Sequence, residues 1–207
     1  MKFEEIERLK RLCVYEDNLF LNGYKKIAGV DEVGRGPLAG PIVAAAVILD
    51  RKKILIENLN DSKKISKKNR ELVFREILNS CITWSIAKIP PRVIDDISIN
   101  KANILVIKEA IQKLKIKPDI VISDAIDVKM DIKVIPIING DEKSASIAAA
   151  SIIAKVIRDK IMMKLSRDYP EYSFEYNKGY GTKEHLKNLQ KYGPSKMHRM
   201  SFRGVLN

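Results

Sequence analysis

Two adjacent carboxylates, Asp31 and Glu32, stand between an apolar run that begins at Ile27 and a turn, GRGPLAGP, holding three glycines, two prolines and Arg35. A second apolar run, Ile42 to Leu49, follows at once. Short apolar runs rich in Val and Ile read as buried strands. Acids at the end of a core strand are costly unless positive charge compensates them, and a metal ion or an arginine can do so. Two further acids fall at comparable points: Asp124 closes the run beginning at Ile120, and Asp141 follows the tight turn Asn139-Gly140. Each has an ordinary alternative: Asp141 as a helix cap, Asp124 as a turn residue, Asp31 and Glu32 as partners of lysines. Their shared placement at strand ends instead favours convergence on one edge of a sheet. Four oxygen donors with no His or Cys cluster select Mg²⁺ or Mn²⁺ over Zn²⁺. Such ions activate water and stabilise a leaving oxygen in phosphodiester hydrolysis. One geometric difficulty stays open. Neighbours in a regular strand point to opposite faces, so Asp31 and Glu32 need a break in the strand, or one of them contributes indirectly.

The turn Gly34-Arg35-Gly36 leaves backbone N–H and C=O groups open to close approach. A ribose 2′-OH both donates and accepts, and it is the group that separates RNA from DNA. Backbone groups can read it without reading the base, although a GRG turn alone is a weak signal. The loop YNKGYGTKEH adds Lys178, Tyr180, Lys183 and His185. A tyrosine between glycines can stack on a sugar or base, or simply pack.

The chain has 207 residues and a formal net charge of +12, which fits one domain with a polyanionic partner. Lysine and arginine concentrate from Arg51 to Arg70 and again after Lys178, where Glu184 is the lone acid among them. Cys13 and Cys81 lack metal-ligand spacing and read as small hydrophobes of a reducing cytoplasm. The N-terminal MKFEEIERLK has no secretory pattern, and no apolar run approaches the ~18 residues a membrane span needs.

The elements that must position these residues follow in order. Residues 3–20 carry apolar positions at helical spacing and predict one amphipathic helix. Strands are expected at 27–33 and 42–49, antiparallel because the turn between them is too short for a crossover. Ser66 caps a predicted helix reaching about residue 79. A third strand (81–88), two helices (93–97 and 101–114), a fourth strand (120–123) and a fifth (132–138, carrying Pro136) come next. A long helix is expected from Lys143 to about Arg167, then a loop to Gly181, a short helix and a basic tail. This is an α/β fold with a mixed five-stranded sheet flanked by helices. It forms a single domain: an N-terminal helix to about residue 24, a core to about 168, and a C-terminal helical, basic segment.

Taken together, IAGVDEVGRGPLAGPIVAAAVIL, NDSKKIS, ISDA, NGDEKSASIAAASIIAKVIRD, NKGYGTKEH and HRMSF resemble the type 2 ribonucleases H (ribonuclease HII). The pieces lie in family order across nearly the whole chain, and their combination is specific where no single one is. The resemblance implies a ribonuclease H-like fold. It implies endonucleolytic cleavage of RNA in RNA–DNA hybrids and nicking 5′ to a single ribonucleotide in duplex DNA, leaving 3′-hydroxyl and 5′-phosphate ends. It places Asp31, Glu32, Asp124 and Asp141 on the metal-binding catalytic acids, with Mn²⁺ or Mg²⁺ as cofactor. It places Gly34, Arg35 and Gly36 on the junction-reading motif and Tyr180 on the tyrosine that packs against the following deoxyribose. Lys63, Lys143, Ser144 and Lys178, in the matching segments, are further expected substrate contacts. A monomer acting in the cytoplasm is expected, with no membrane contact. The intact GRG turn and single N-terminal helix disfavour the type 3 relatives. The short sequence after HRMSF disfavours docking on a sliding clamp through a long tail. The competing readings are another nuclease on this fold and a non-catalytic basic nucleic-acid-binding protein.

Overall fold

The computed structural model describes residues 1–62 and 65–206. Its strands are β1 (Ile27–Val33), β2 (Ile42–Leu49), β3 (Cys81–Ile89), β4 (Ile120–Asp124) and β5 (Val134–Ile137). They form one sheet in the order β3-β2-β1-β4-β5. β2 runs antiparallel to both β1 and β3, whereas β4 runs parallel to both β1 and β5. Pro136 lies in β5, an edge strand, where a missing N–H interrupts no inner ladder.

The helices are α1 (Phe3–Leu12), α2 (Val14–Leu21), α3 (Lys67–Ser80), α4 (Pro91–Ile97), α5 (Ile99–Gln112), α6 (Gly140–Lys143), α7 (Ala145–Asp168), α8 (Phe174–Asn177) and α9 (Lys183–Tyr192). Ser66 caps α3 as the sequence predicts, its hydroxyl accepting from the Asn69 N–H. Both faces of the sheet are covered, so β2 is buried along its whole length. Ala45, Val47 and Leu49 pack toward α3 and α7, while Ala44, Ala46 and Ile48 pack toward α5. No helix among the described residues is long and apolar enough to cross a membrane.

Three expectations are corrected. The N-terminal helix is two helices, broken at Cys13, which lies outside helical geometry at ψ 3°. The break lets Glu16 turn inward, where it is buried. The long helix does not run on from Lys143. Ser144 adopts extended geometry and its hydroxyl accepts from the Ile147 N–H, so α6 and α7 are separate. Glu16 closes the same junction: its Oε1 accepts from the Ser144 hydroxyl at 2.6 Å and from the Ser146 N–H at 2.8 Å. A carboxylate there complements the positive end of α7, although burial pushes its pKa up. The expected loop from Tyr169 to Gly181 holds a 3-10 turn at Pro170–Tyr172 and the short α8.

Close approach of α7 to the sheet depends on Gly29. A Cβ there would collide with the carbonyl group of Ser146 and the N–H of Ile147, which are backbone atoms and cannot swing aside. Gly29→Ala is therefore expected to destabilise the fold by roughly 1–3 kcal/mol or more, read as a fall in the urea midpoint, whereas Gly23→Ala, with open space around it, gives a smaller loss.

The C-terminal segment folds back on the β1–β2 turn. Tyr172, Phe174, His185 and His198 form one aromatic cluster, with the Tyr172 hydroxyl donating to the Gly193 carbonyl. The two imidazoles meet Nε2 to Nε2 at 3.1 Å, and both residues are buried. Burial first, then the neighbouring His185, hold the His198 pKa down to about 4. A base whose folded pKa lies below its unfolded value of about 6.5 binds its proton more readily when unfolded. The contribution to stability is thus complete above about pH 6.5 and is lost toward pH 4. Wild type is expected to lose on the order of 3 kcal/mol relative to His198→Gln across that window, measured by urea unfolding at a series of pH values. Parallel stability curves for the two proteins would contradict this.

Candidate active site

The parallel register of β1 and β4, with Val30 opposite Ser123, sets Asp31 beside Asp124 at the carboxyl ends of neighbouring strands. Both lie on the α7 face, where Ile27, Ile120, Ile122 and Ile147 pack together two and four residues earlier along the strands. Asp31 is buried and lies against the Ser151 hydroxyl of α7. Glu32 leaves the strand on the opposite face, beside the Asn103 amide of α5. The alternation of a regular strand is therefore obeyed, without a break between the two acids. Asp124, the last residue of β4, still acts on both through space.

Burial is the main cause that pushes the Asp31 pKa well up, with Glu32 and then Asp124 adding repulsion. Burial also raises Glu32. Arg35 pulls it back and Asp124 pushes it further up. Asp124 Oδ1 accepts from the Gly140 N–H at 2.7 Å, which ties β4 to the start of α6. Asp141, the next residue, is buried there. Among the described residues, no three acidic, His or Cys side chains already stand close enough to share an ion. The surroundings nevertheless fit a hard cation. The donors are all oxygens, they repel one another in a low-dielectric pocket, and the buried Asn103 Oδ1 beside Glu32 finds no hydrogen-bond donor among the described residues.

The GRG turn begins directly after β1. Gly34 is buried at φ +99°, while Arg35 and Gly36 are exposed. The Arg35 guanidinium lies 3.4 Å from Asn100 Oδ1 at the start of α5. Tyr180 is 45% exposed, and its ring edge lies 3.9 Å from where a Gly36 Cβ would be, so the aromatic face borders the turn. The loop carrying Tyr180 is pinned to the turn's far side: the Gly179 carbonyl accepts from Leu38 N–H at 2.8 Å and Ala39 N–H at 3.3 Å. Gly179 sits so close to the Ala39 carbonyl that a side chain there would collide with it.

The remaining candidates separate. Lys143 is exposed and its Nζ donates to the Ile138 carbonyl at 2.7 Å, one residue from the α6 acids. Ser144 is fully buried and engaged as the α7 cap, so it offers no surface to a substrate. Lys178 is half-buried and lies among Asp159, Lys67 and Lys155 rather than with the acids. Lys63 lies outside the described residues; its neighbour Ser62 meets the Ser151 hydroxyl at 3.1 Å, beside Asp31. Arg199, one of the basic residues after Lys178, is no surface charge but wholly buried. Sequence reasoning missed Asn103, Glu16 and Arg158. All three sit on helix faces that pattern alone assigns to packing.

The ribonuclease HII family model matches residues 28–205. The chain is 53% identical over 188 residues to the ribonuclease HII of Caldicellulosiruptor bescii, covering 90% of this chain and 91% of that protein. It is 48% identical over 199 residues to that of Caldanaerobacter subterraneus subsp. tengcongensis, covering 96% and 82%. Among solved structures, the ribonuclease H2 of Pyrococcus horikoshii OT3 superposes with a TM-score of 0.76 at 28% identity, covering 87% of this chain and 95% of that one. The Archaeoglobus fulgidus ribonuclease HII, solved in complex with PCNA, superposes with a TM-score of 0.74 at 30% identity, covering 86% and 96%. With this match over most of its length and its mixed five-stranded sheet, this chain belongs to the ribonuclease HII family, endoribonucleases of the ribonuclease H class.

Proposed function

We propose that this endoribonuclease cleaves the RNA strand of RNA–DNA hybrids and nicks duplex DNA 5′ to a single embedded ribonucleotide, leaving 3′-hydroxyl and 5′-phosphate ends. The observation that carries the reading is the adjacency along β1 of the buried Asp31, the half-buried Glu32 that repels it, and a turn that exposes Arg35 and Gly36. Asp31, Glu32, Asp124 and Asp141 are the residues that hold Mn²⁺ or Mg²⁺. Bound there, the ions supply an activated water and charge stabilisation for the leaving 3′-oxygen. The carboxylates orient that chemistry, with Asp31 and Asp141 buried and Glu32 and Asp124 partly exposed. The turn amides of Arg35 and Gly36 face the ribose 2′-OH and its phosphate, and Tyr180 packs against the next sugar. Recognition thereby sits within a few residues of the acids, so the scissile bond is chosen by where the 2′-OH docks.

The test is a duplex carrying one ribonucleotide, incubated with Mn²⁺ or Mg²⁺ and with chelator, with the nick mapped at nucleotide resolution. A single metal-dependent nick 5′ to the ribonucleotide is expected. Metal-independent binding without cleavage would instead identify a basic binding protein, and cleavage confined to long RNA runs would indicate type 1 specificity. In the same assay Asp124→Asn is expected to lower turnover by a factor of at least about 10³, or 4 kcal/mol, with hybrid affinity within a few fold of wild type. Arg35→Ala is expected to weaken binding of the one-ribonucleotide duplex about tenfold and all-DNA duplex less. Equal losses on both would remove Arg35 from junction reading.

A further inference from the structure

Two arginines with no exposed surface, Arg158 on α7 and Arg199 in the C-terminal segment, lie beneath the turn between β1 and β2. Buried guanidinium groups ordinarily face carboxylates. Among the described residues neither of these forms an ion pair; their partners are carbonyls of one turn. Arg199 Nη2 donates to Gly34 O at 2.6 Å and to Gly40 O at 2.9 Å, Nη1 to Arg35 O at 2.9 Å and Nε to Gly40 O at 3.1 Å. Arg158 Nε donates to Pro41 O at 3.0 Å and Nη2 to Ala39 O at 3.3 Å. The Arg158 Nη1 donor is buried without a partner among the described residues. The glycines make room for this: a side chain on Gly34 would strike the Arg158 guanidinium. The backbone is thereby sorted by face. Carbonyls at both ends of the turn point inward to fixed cations. Among the described residues no hydrogen bond is donated by the N–H of Arg35 or Gly36, both of which are exposed.

We propose that Arg199 and Arg158 are positioning residues for substrate selection: they hold the turn's carbonyls inward so that the Arg35 and Gly36 amides are preset toward the 2′-OH and phosphate of a ribonucleotide junction. This rests on the function proposed above. The planar fork of Arg199 spans three carbonyls at once, which a lysine ammonium on a flexible stem cannot reproduce. The pair also leaves positive charge under the turn, and bonds from a charged donor are stronger than neutral ones. A preset reader needs no ordering when substrate arrives. Its loss therefore falls on the substrate that offers one 2′-OH more heavily than on one that offers many.

The test compares wild type, Arg199→Lys and Arg199→Met on two substrates, a one-ribonucleotide duplex and a uniform RNA–DNA hybrid, with melting temperature followed in parallel. Both variants are expected to lose at least tenfold more kcat/KM on the one-ribonucleotide duplex than on the hybrid, chiefly through KM, with lysine no better than methionine. Equal losses on both substrates that track melting temperature would reduce Arg199 to a structural role and overturn the proposal. Full rescue by lysine would show that charge alone suffices and overturn it equally. Should both Arg199 variants fail to fold, Arg158→Gln, which keeps a donor for Pro41 O, is expected to show the same split in smaller degree, and an even loss there overturns the proposal. A wild type that cleaves neither substrate refutes the proposed function itself, an outcome read separately from the variants.

Discussion

Backbone-to-backbone contact between α7 and the central strand governs how this molecule is put together. Because Gly29 has no side chain, the first turn of α7 rests on β1 itself. Ser151, a little over one turn further along, then falls opposite Asp31. The separate start of α7 follows from the same demand. Ser144 and Glu16 satisfy the N–H groups of its first turn while the chain leaves α6 and re-enters helix. The acid of β1 and the acid of α6 are thus located by one docking event, and β4 is drawn in by the bond from the Gly140 N–H to Asp124.

The β1–β2 turn is the second point of dependence. It is gripped from below by two guanidinium groups, from one side by the Gly179 carbonyl, and along its length by a bridge between Ala39 and His198. A glycine-rich segment left alone would sample many conformations, and the entropic cost of fixing it is large. Here that cost is offset by bonds from three separate parts of the chain, so a segment of intrinsically flexible composition is held in one conformation next to the acids.

Much of this was legible in residue order. Strand positions followed from apolar runs or, at residues 81–88, from alternation, and the antiparallel β1–β2 pair from the length of the turn. The four acids stood out because hydrophobic runs ended at or just before them. What the one-dimensional pattern could not carry was direction and depth. Glu16, Asn103 and Arg158 are polar residues inside helices, and only packing shows that they face inward. The break at Ser144 is invisible to periodicity because the residues on both sides have good helical propensity. Arg199 looked like surface charge because it belongs to the basic run after Lys178; its carbonyl partners lie far earlier in the chain. Whether the strand broke between Asp31 and Glu32 was left open by residue order; β1 runs on through both, and Asp124 lies close enough to act on each.

The clamp beneath the turn also has a meaning in time. A ribosome delivers the chain from the N-terminus, so all four acids and α7 emerge before Arg199 does. The sheet can close and the acids can gather while the turn still lacks its deepest anchors. Under the proposed reading, the anchors that preset the turn are among the last parts of the chain to be made. A chain truncated ahead of His198 would keep the four acids and the turn but lose the guanidinium of Arg199 that holds the turn's carbonyls inward.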